Sequence, residues 1–148
     1  MFRDGEARVV AFHVGEERFA VELASVDEVI DVPSLRAMPD TPRAVLGLAT
    51  IRGEPATMYD ARVLLEVDGQ PGTTALLFRR AHRRIGLVVG DVDEAFVIRE
   101  AALRGAPGAD SSNGLLIGVV RRGLELVALL DARVLVDVAV STIEVQRT

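Results

Sequence analysis

Asp60-Ala61-Arg62-Val63-Leu64 returns unchanged as Asp131-Ala132-Arg133-Val134-Leu135, 71 positions later. Gly47 is matched by Gly118 at the same spacing. Upstream, Phe12, Ala20, Val26, Asp27 and Glu28 are echoed by Phe78, Gly86, Val92, Asp93 and Glu94, each pair 66 positions apart. The change of spacing fits an insertion of five residues in one loop of the second copy. A repeat of this length is one supersecondary unit used twice. It predicts two similar lobes, approximately 15–70 and 71–138, within a single domain spanning 1–148, with strand exchange between lobes possible at the N-terminus. The seam between them is the kind of place where small proteins bind partners.

Each copy starts as a hairpin. Val10, Phe12 and Val14 alternate with Val9, Ala11 and His13, and Gly15-Glu16-Glu17 supplies a turn. Phe19, Val21 and Leu23 then alternate with Arg18, Ala20 and Glu22. Period-two alternation about a glycine-bearing turn is the hairpin signature. In the second copy Ala75 to Phe78 leads through Arg79-Arg80-Ala81-His82-Arg83 to Ile85, Leu87 and Val89. Pro33, Pro39 and Pro42 make 33–42 an irregular connection, because proline removes a ladder donor. A second strand pair follows in each half, Val45–Ile51 with Ala56–Tyr59, and Leu115–Val120 with Leu124–Leu130. Asp60 and Asp131 are N-cap residues for short helices over 60–66 and 131–138, expected to plug the open ends of the sheets. The expected fold is all-β: two small five-stranded, SH3-like β-barrel lobes around a shared hydrophobic seam, with short capping helices. The stretch 105–114 is the most flexible by composition, and 139–148 is open between strand, helix and disorder.

At 148 residues, with 49% hydrophobic and 26% charged residues, the chain has a globular balance. With no cysteine there are no disulfides and no thiolate chemistry, which fits a reducing, cytoplasmic setting. A net charge of −5 gives no general attraction to nucleic acid or acidic lipid. The longest apolar run, Leu126–Leu130, is far short of the ~20 residues of a membrane span. Catalysis is poorly supported. His13 and His82 have no serine or acidic partner at motif spacing, no metal pattern occurs, and no glycine-rich phosphate loop appears. The cluster Arg79-Arg80-His82-Arg83-Arg84 is the one nucleic-acid-like feature. It lacks interleaved aromatics for base stacking, so a solvated hairpin tip is the expected reading. Arg52 ends an apolar strand before a tight turn. It is either an exposed strand-end arginine or the bidentate partner of a carboxylate, with Glu28 the candidate.

The string Val45-Leu46-Gly47-Leu48-Ala49-Thr50-Ile51-Arg52-Gly53 resembles the core motif of the CheW family. So do Phe12-His13-Val14-Gly15, Phe19-Ala20-Val21 and Val26-Asp27-Glu28-Val29-Ile30, then Asp60, then Gly86-Leu87-Val88-Val89 with Val92, and finally Leu126–Leu130 with Asp131 and Leu135. The motifs keep the family's order from about residue 8 to 137. Thr50, Thr57, Ala61 and Gly90 depart from the family pattern.

The resemblance implies a non-catalytic adaptor, without cofactor, that couples chemoreceptors to the histidine kinase CheA in a cytoplasmic array beside the membrane. Its implied partners are the chemoreceptor cytoplasmic tip, the CheA regulatory domain and other CheW-like domains. Carried over by motif, the partner-binding residues are Val26, Glu28, Val29, Arg52 and Gly53, with Val88 and Val89 lining the seam. The kinase domain would meet an end of a barrel. The departures leave open a divergent adaptor of a non-flagellar chemosensory pathway. Outside the family, the alternatives are a small enzyme with a pocket in the seam and a nucleic-acid binder using residues 79–84.

Overall fold

Four two-residue loops set the strand pairing. Gly15-Glu16, Arg52-Gly53, Ala81-His82 and Gly123-Leu124 each join two antiparallel strands. Each loop has positive φ at its first residue, and the second loop has it at both. Loops of this length need such backbone because it matches the right-handed twist of the strands they connect.

The computed structural model describes residues 1–105 and 113–147, with side chains through Ile143. The flexible stretch expected at 105–114 lies, apart from its ends, outside the described residues. The strands are β1 (Glu6–Val14), β2 (Glu17–Glu22), β3 (Glu28–Asp31), β4 (Val45–Ile51), β5 (Glu54–Asp60), β6 (Thr74–Arg80), β7 (Arg83–Val89), β8 (Phe96–Arg99), β9 (Leu116–Arg122) and β10 (Glu125–Leu130). Helix α1 is Ala61–Leu64 and α2 is Ala132–Arg147.

They form two five-stranded sheets, β8-β1-β2-β10-β9 and β3-β6-β7-β5-β4. The two orders are the same order once the copies are superposed, with the hairpins traded. The β1–β2 hairpin of the first copy sits among strands of the second, and β6–β7 of the second sits among strands of the first. Lobes at 15–70 and 71–138 therefore do not describe the sheets. Both strands of each hairpin cross over: β2 pairs in parallel with β10 and β1 antiparallel with β8, while β7 pairs in parallel with β5 and β6 antiparallel with β3. Alternation within a hairpin shows which residues pair locally but carries no information about which distant strand receives it.

Each sheet curls until its edges nearly meet. The chain leaving edge strand β3 returns at Arg36, which exchanges backbone hydrogen bonds of 2.7 and 2.9 Å with Leu48 on the opposite edge strand β4. Arg104 does the same with Val119 on β9. The repeated glycines now have a reason. A Cβ on Gly47 would stand 2.6 Å from the Arg36 carbonyl oxygen, and one on Gly118 2.6 Å from that of Arg104.

The hairpin strands β1, β6 and β7 bury both faces over most of their length, and the faces do different work. Val9 and Ala11 of β1 fill the interior of the first sheet with Val127 and Leu129. Ala75 and Leu77 of β6 fill the second with Met58 and Ile51. The alternate residues Val10, Phe12, Val14, Leu76, Phe78, Ile85, Leu87 and Val89 face one another across the seam. Both helices contribute apolar residues to this shared cluster and not to either sheet's interior, so they brace the seam instead of plugging single barrels. Helix α2 runs well past the expected 131–138. Its residues Ala132, Leu135, Val136, Ala139, Val140 and Ile143 recur at helical spacing and form the stripe that packs there. Asp60 and Asp131 cap as expected, accepting from the backbone N–H of Arg62 at 3.0 Å and of Arg133 at 2.9 Å.

One pair of ion clusters ties each traded hairpin to its host. Arg18 of β2 bonds to Asp93 and Glu125 of the second copy. Arg84 of β7 bonds to Asp27 at 3.0 Å and approaches Glu54 at 3.7 Å, both of the first copy. The repeat maps Arg18 onto Arg84, Asp27 onto Asp93 and Glu54 onto Glu125, so this is one clasp made twice. Arg84 is 9% exposed, so its desolvation is compensated mainly by these carboxylates. Arg84→Ala removes a hydrogen bond to a charged group and empties a buried site, so it is expected to cost about 2–3 kcal/mol in urea unfolding. Gly47→Ala is expected to cost about 3 kcal/mol through its backbone clash and its φ, whereas Gly53→Ala, with open space around it, is expected to cost about 1 kcal/mol through φ alone.

Candidate functional site

The candidate site is built from the end of the second sheet. At the β4–β5 turn, Arg52 has φ 51° and Gly53 φ 81°. Only glycine is at ease in that region, so holding Arg52 there costs about 1–2 kcal/mol. The turn projects Arg52 into solvent with 74% of its side chain exposed. Its guanidinium meets Glu28 of β3 at 2.6 Å. Strands β3 and β4 are opposite edges of the sheet, so this pair closes the curl at its exposed end. Both sequence readings of Arg52 hold in part: it is an exposed strand-end arginine, and it pairs with Glu28 through one nitrogen and not bidentately.

Glu28 is the hinge of a larger network. Its other oxygen lies 3.6 Å from Arg84, which also holds Asp27. Arg79 bridges Glu54 at 3.3 Å and Asp27 at 3.8 Å. Three arginines thus face three carboxylates, and the ensemble is close to electrically neutral. The sequence reading of 79–84 as a solvated tip holds for residues 79–83, which are exposed, and fails at Arg84. Arg84 is buried and clasped, Arg79 is paired, and Arg80 meets Asp137 of α2 at 3.0 Å. The pattern Arg-Arg-x-x-Arg-Arg gives no sign of this, because the acids come from residues 27, 28, 54 and 137.

The other residues implied by the resemblance divide into surface and core. Val26 packs partly buried against the seam cluster, while Val29 of β3 is 45% exposed. Gly53 is exposed beside Arg52. Val88 and Val89 are correct as apolar residues but not as contact residues, since they are 4% and 1% exposed. Val89 does face the seam, whereas Val88 points the other way into the interior of its own sheet. Neighbours on a strand point to opposite faces, so both cannot line one seam.

Next to the ion network lies a groove of about 940 Å³ between the 38–42 connection, β5, β7 and α2. Met38, Leu48, Ile85, Val140 and Ile143 give it an apolar lining. Glu54, Arg79 and Arg84 belong both to its rim and to the network. Tyr59 also lines it, and burial pushes its phenol above the ordinary value despite the opposing charge of Arg83, so it stays neutral at physiological pH. A further polar cluster is formed by His13, with Nε2 3.7 Å from Asp93, beside the Arg18 clasp. Among the described residues no group of three potential ligands could hold a metal, and no helix is long and apolar enough to cross a membrane. The arrangement offers burial and charge register.

Exposure separates Arg52 from Arg84 within the network. Arg52→Ala removes a solvent-screened pair and is expected to change stability by less than about 1 kcal/mol, against the larger loss at Arg84. Parallel thermal melts of the two variants check this difference.

The family model for the CheW-like domain matches residues 8–140. A protein called probable chemotaxis protein CheW from Rhizobium etli is 22% identical over 136 residues, covering 88% of each chain. The chemotaxis protein CheW of Helicobacter pylori is 26% identical over 125 residues, covering 82% of this chain and 76% of that one. Among solved structures, the scaffolding protein TtCheW from Thermoanaerobacter tengcongensis superposes with a TM-score of 0.75 at 18% identity, over 86% of each chain. That likeness is one of fold, and it agrees with the two curled sheets described above. With nine-tenths of its length under a single family model, this chain belongs to the CheW-like domain family.

Proposed function

We propose that this chain is a non-catalytic adaptor that couples the cytoplasmic tip of a chemoreceptor to the regulatory domain of the histidine kinase CheA. The observation that carries the reading is the Glu28–Arg52 pair, displayed on a strained turn beside exposed Val29. A receptor tip is helical. An apolar stripe of such a helix fits a groove of this size and lining, as helix-in-groove recognition requires. Val26 and Val29 add non-directional burial. Glu28 and Arg52 set register and reject partners of the wrong charge pattern, the use to which interfacial charges are best suited. Gly53 keeps the turn in its conformation.

A second contact is needed for coupling, and the first sheet supplies a different kind of surface. Leu124 in the β9–β10 turn is 98% exposed, Leu126 of β10 61% and Val97 of β8 54%. Arg122, at the end of β9, lies 3.6 Å over the Phe96 ring of β8, so the β9–β10 turn that carries Leu124 and the strand that carries Val97 approach one another there. This apolar surface is our candidate for the CheA regulatory domain or another CheW-like domain. The nucleic-acid reading loses its support, since the arginines at 79, 80 and 84 are already engaged by carboxylates.

Binding to a receptor cytoplasmic fragment and to a CheA regulatory domain tests both surfaces. Glu28→Arg and Arg52→Glu are each expected to weaken receptor binding by roughly tenfold or more while leaving kinase-domain binding unchanged. The double reversal recovers part of the loss. Leu126→Glu is expected to do the opposite, weakening the kinase contact alone. Normal receptor binding by both single reversals would remove the charge-register reading.

A further inference from the structure

The exchange of hairpins leaves neither half of the chain able to satisfy itself. Without the second half, β1 and β2 have no third strand, and β3 and β5 are separated by the gap that β6 and β7 fill. Such unpaired edges recruit strands. What they recruit is specific. Asp27 donates its backbone N–H to the Leu77 carbonyl at 2.7 Å, and in mirror fashion Asp93 donates to that of Ala11 at 2.9 Å. The two clasps, Arg18 with Asp93 and Glu125, and Arg84 with Asp27 and Glu54, also run only between halves.

Covalently, the halves are joined by one segment, residues 65–73, which contains no strand or helix. It is held by close approaches. A Cβ on Gly69 would stand 2.5 Å from the Gly15 Cα, and one on Gly72 would stand 2.2 Å from the Val89 carbonyl oxygen. Arg62 Nη1 donates to the Gly69 carbonyl at 2.7 Å. No contact between the halves depends on their belonging to the same chain. The tight seat of this link is what favours one chain over two.

We propose that a second copy of this chain is a partner through exchange of whole halves. Residues before the 65–73 link of each copy then complete the residues after it in the other. The resulting particle keeps every strand pairing and both clasps in each of its two units. Arg79 and Arg84 are supplied in trans to the Glu28–Arg52 surface, which is present twice. The link is the switch: seated against Gly15 and Val89 it favours the single chain, and unseating it drives exchange between copies.

The clasps allow the test to be made on full-length chains. One variant carries Arg18→Glu, and the other carries Asp93→Arg with Glu125→Arg. Each alone sets like charges against one another. In an exchanged pair of the two variants one clasp is wild type and the other is restored with its signs reversed. Co-expressed with different tags, the two variants are expected to capture each other as a particle of twice 15.9 kDa with native circular dichroism. Neither variant is expected to capture the wild-type chain, since that exchange repairs nothing. Independently, Gly69→Val in the otherwise wild-type chain is expected to raise the dimer fraction severalfold in size-exclusion chromatography with light scattering. The proposal is overturned if the two charge variants fold separately as monomers, if co-expression leaves both unfolded, or if Gly69→Val stays as monomeric as the wild type.

Discussion

Everything in this molecule hangs on an arginine that reaches from one half of the chain into the other, twice. Arg18 and Arg84 sit at equivalent places on the second strands of the two traded hairpins. Each finds an aspartate and a glutamate of the opposite copy. Hydrophobic burial drives the hairpins together, but it is non-directional and could not by itself choose the host sheet. A guanidinium largely withdrawn from water must find its carboxylates, and a mispaired hairpin would leave it without them. The clasps therefore act as the recognition code of the fold, and the seam cluster as its bulk stabilisation.

The second sheet turns the same device outward. There the clasp shares Glu28 with Arg52, so a buried network continues into an exposed pair without a break. The first sheet has no counterpart, because Gly123-Leu124 stands where Arg52-Gly53 would be. One ancestral unit has thus given one end that displays a charged pair and one that displays Leu124 and Leu126 beside its own ion cluster. Two ends of unlike chemistry are what an adaptor between unlike partners requires, and the near-neutral balance of the network favours register over long-range attraction.

Much of this was legible in the residues. The hairpins, the doubled architecture and the aspartate caps follow from alternation, repetition and cap chemistry, and Glu28 was readable as one candidate partner for Arg52. The trading of hairpins was not, because strand pairing at long sequence separation leaves no local mark. The Arg18–Arg84 echo was present at the 66-residue spacing, but its partner echo, Glu54 with Glu125, runs at 71, so the clasp straddles the change of offset. Val88 and Val89 could not be sorted because β7 is buried on both faces, and a continuous apolar run hides its alternation. The helical stripe from Ala132 to Ile143 was readable. It was obscured by valines and threonine, which favour strands, and the seam packing overrides that preference.

The crossing of Leu23–Asp27 from one sheet to the other, and of Val89–Ala95 back, means that the two lobes are laced by backbone as well as glued by side chains. A torque applied to one lobe is met by covalent bonds strung across the seam in both directions. A rotation of one lobe against the other must therefore strain the backbone at both crossings as well as unpack the seam.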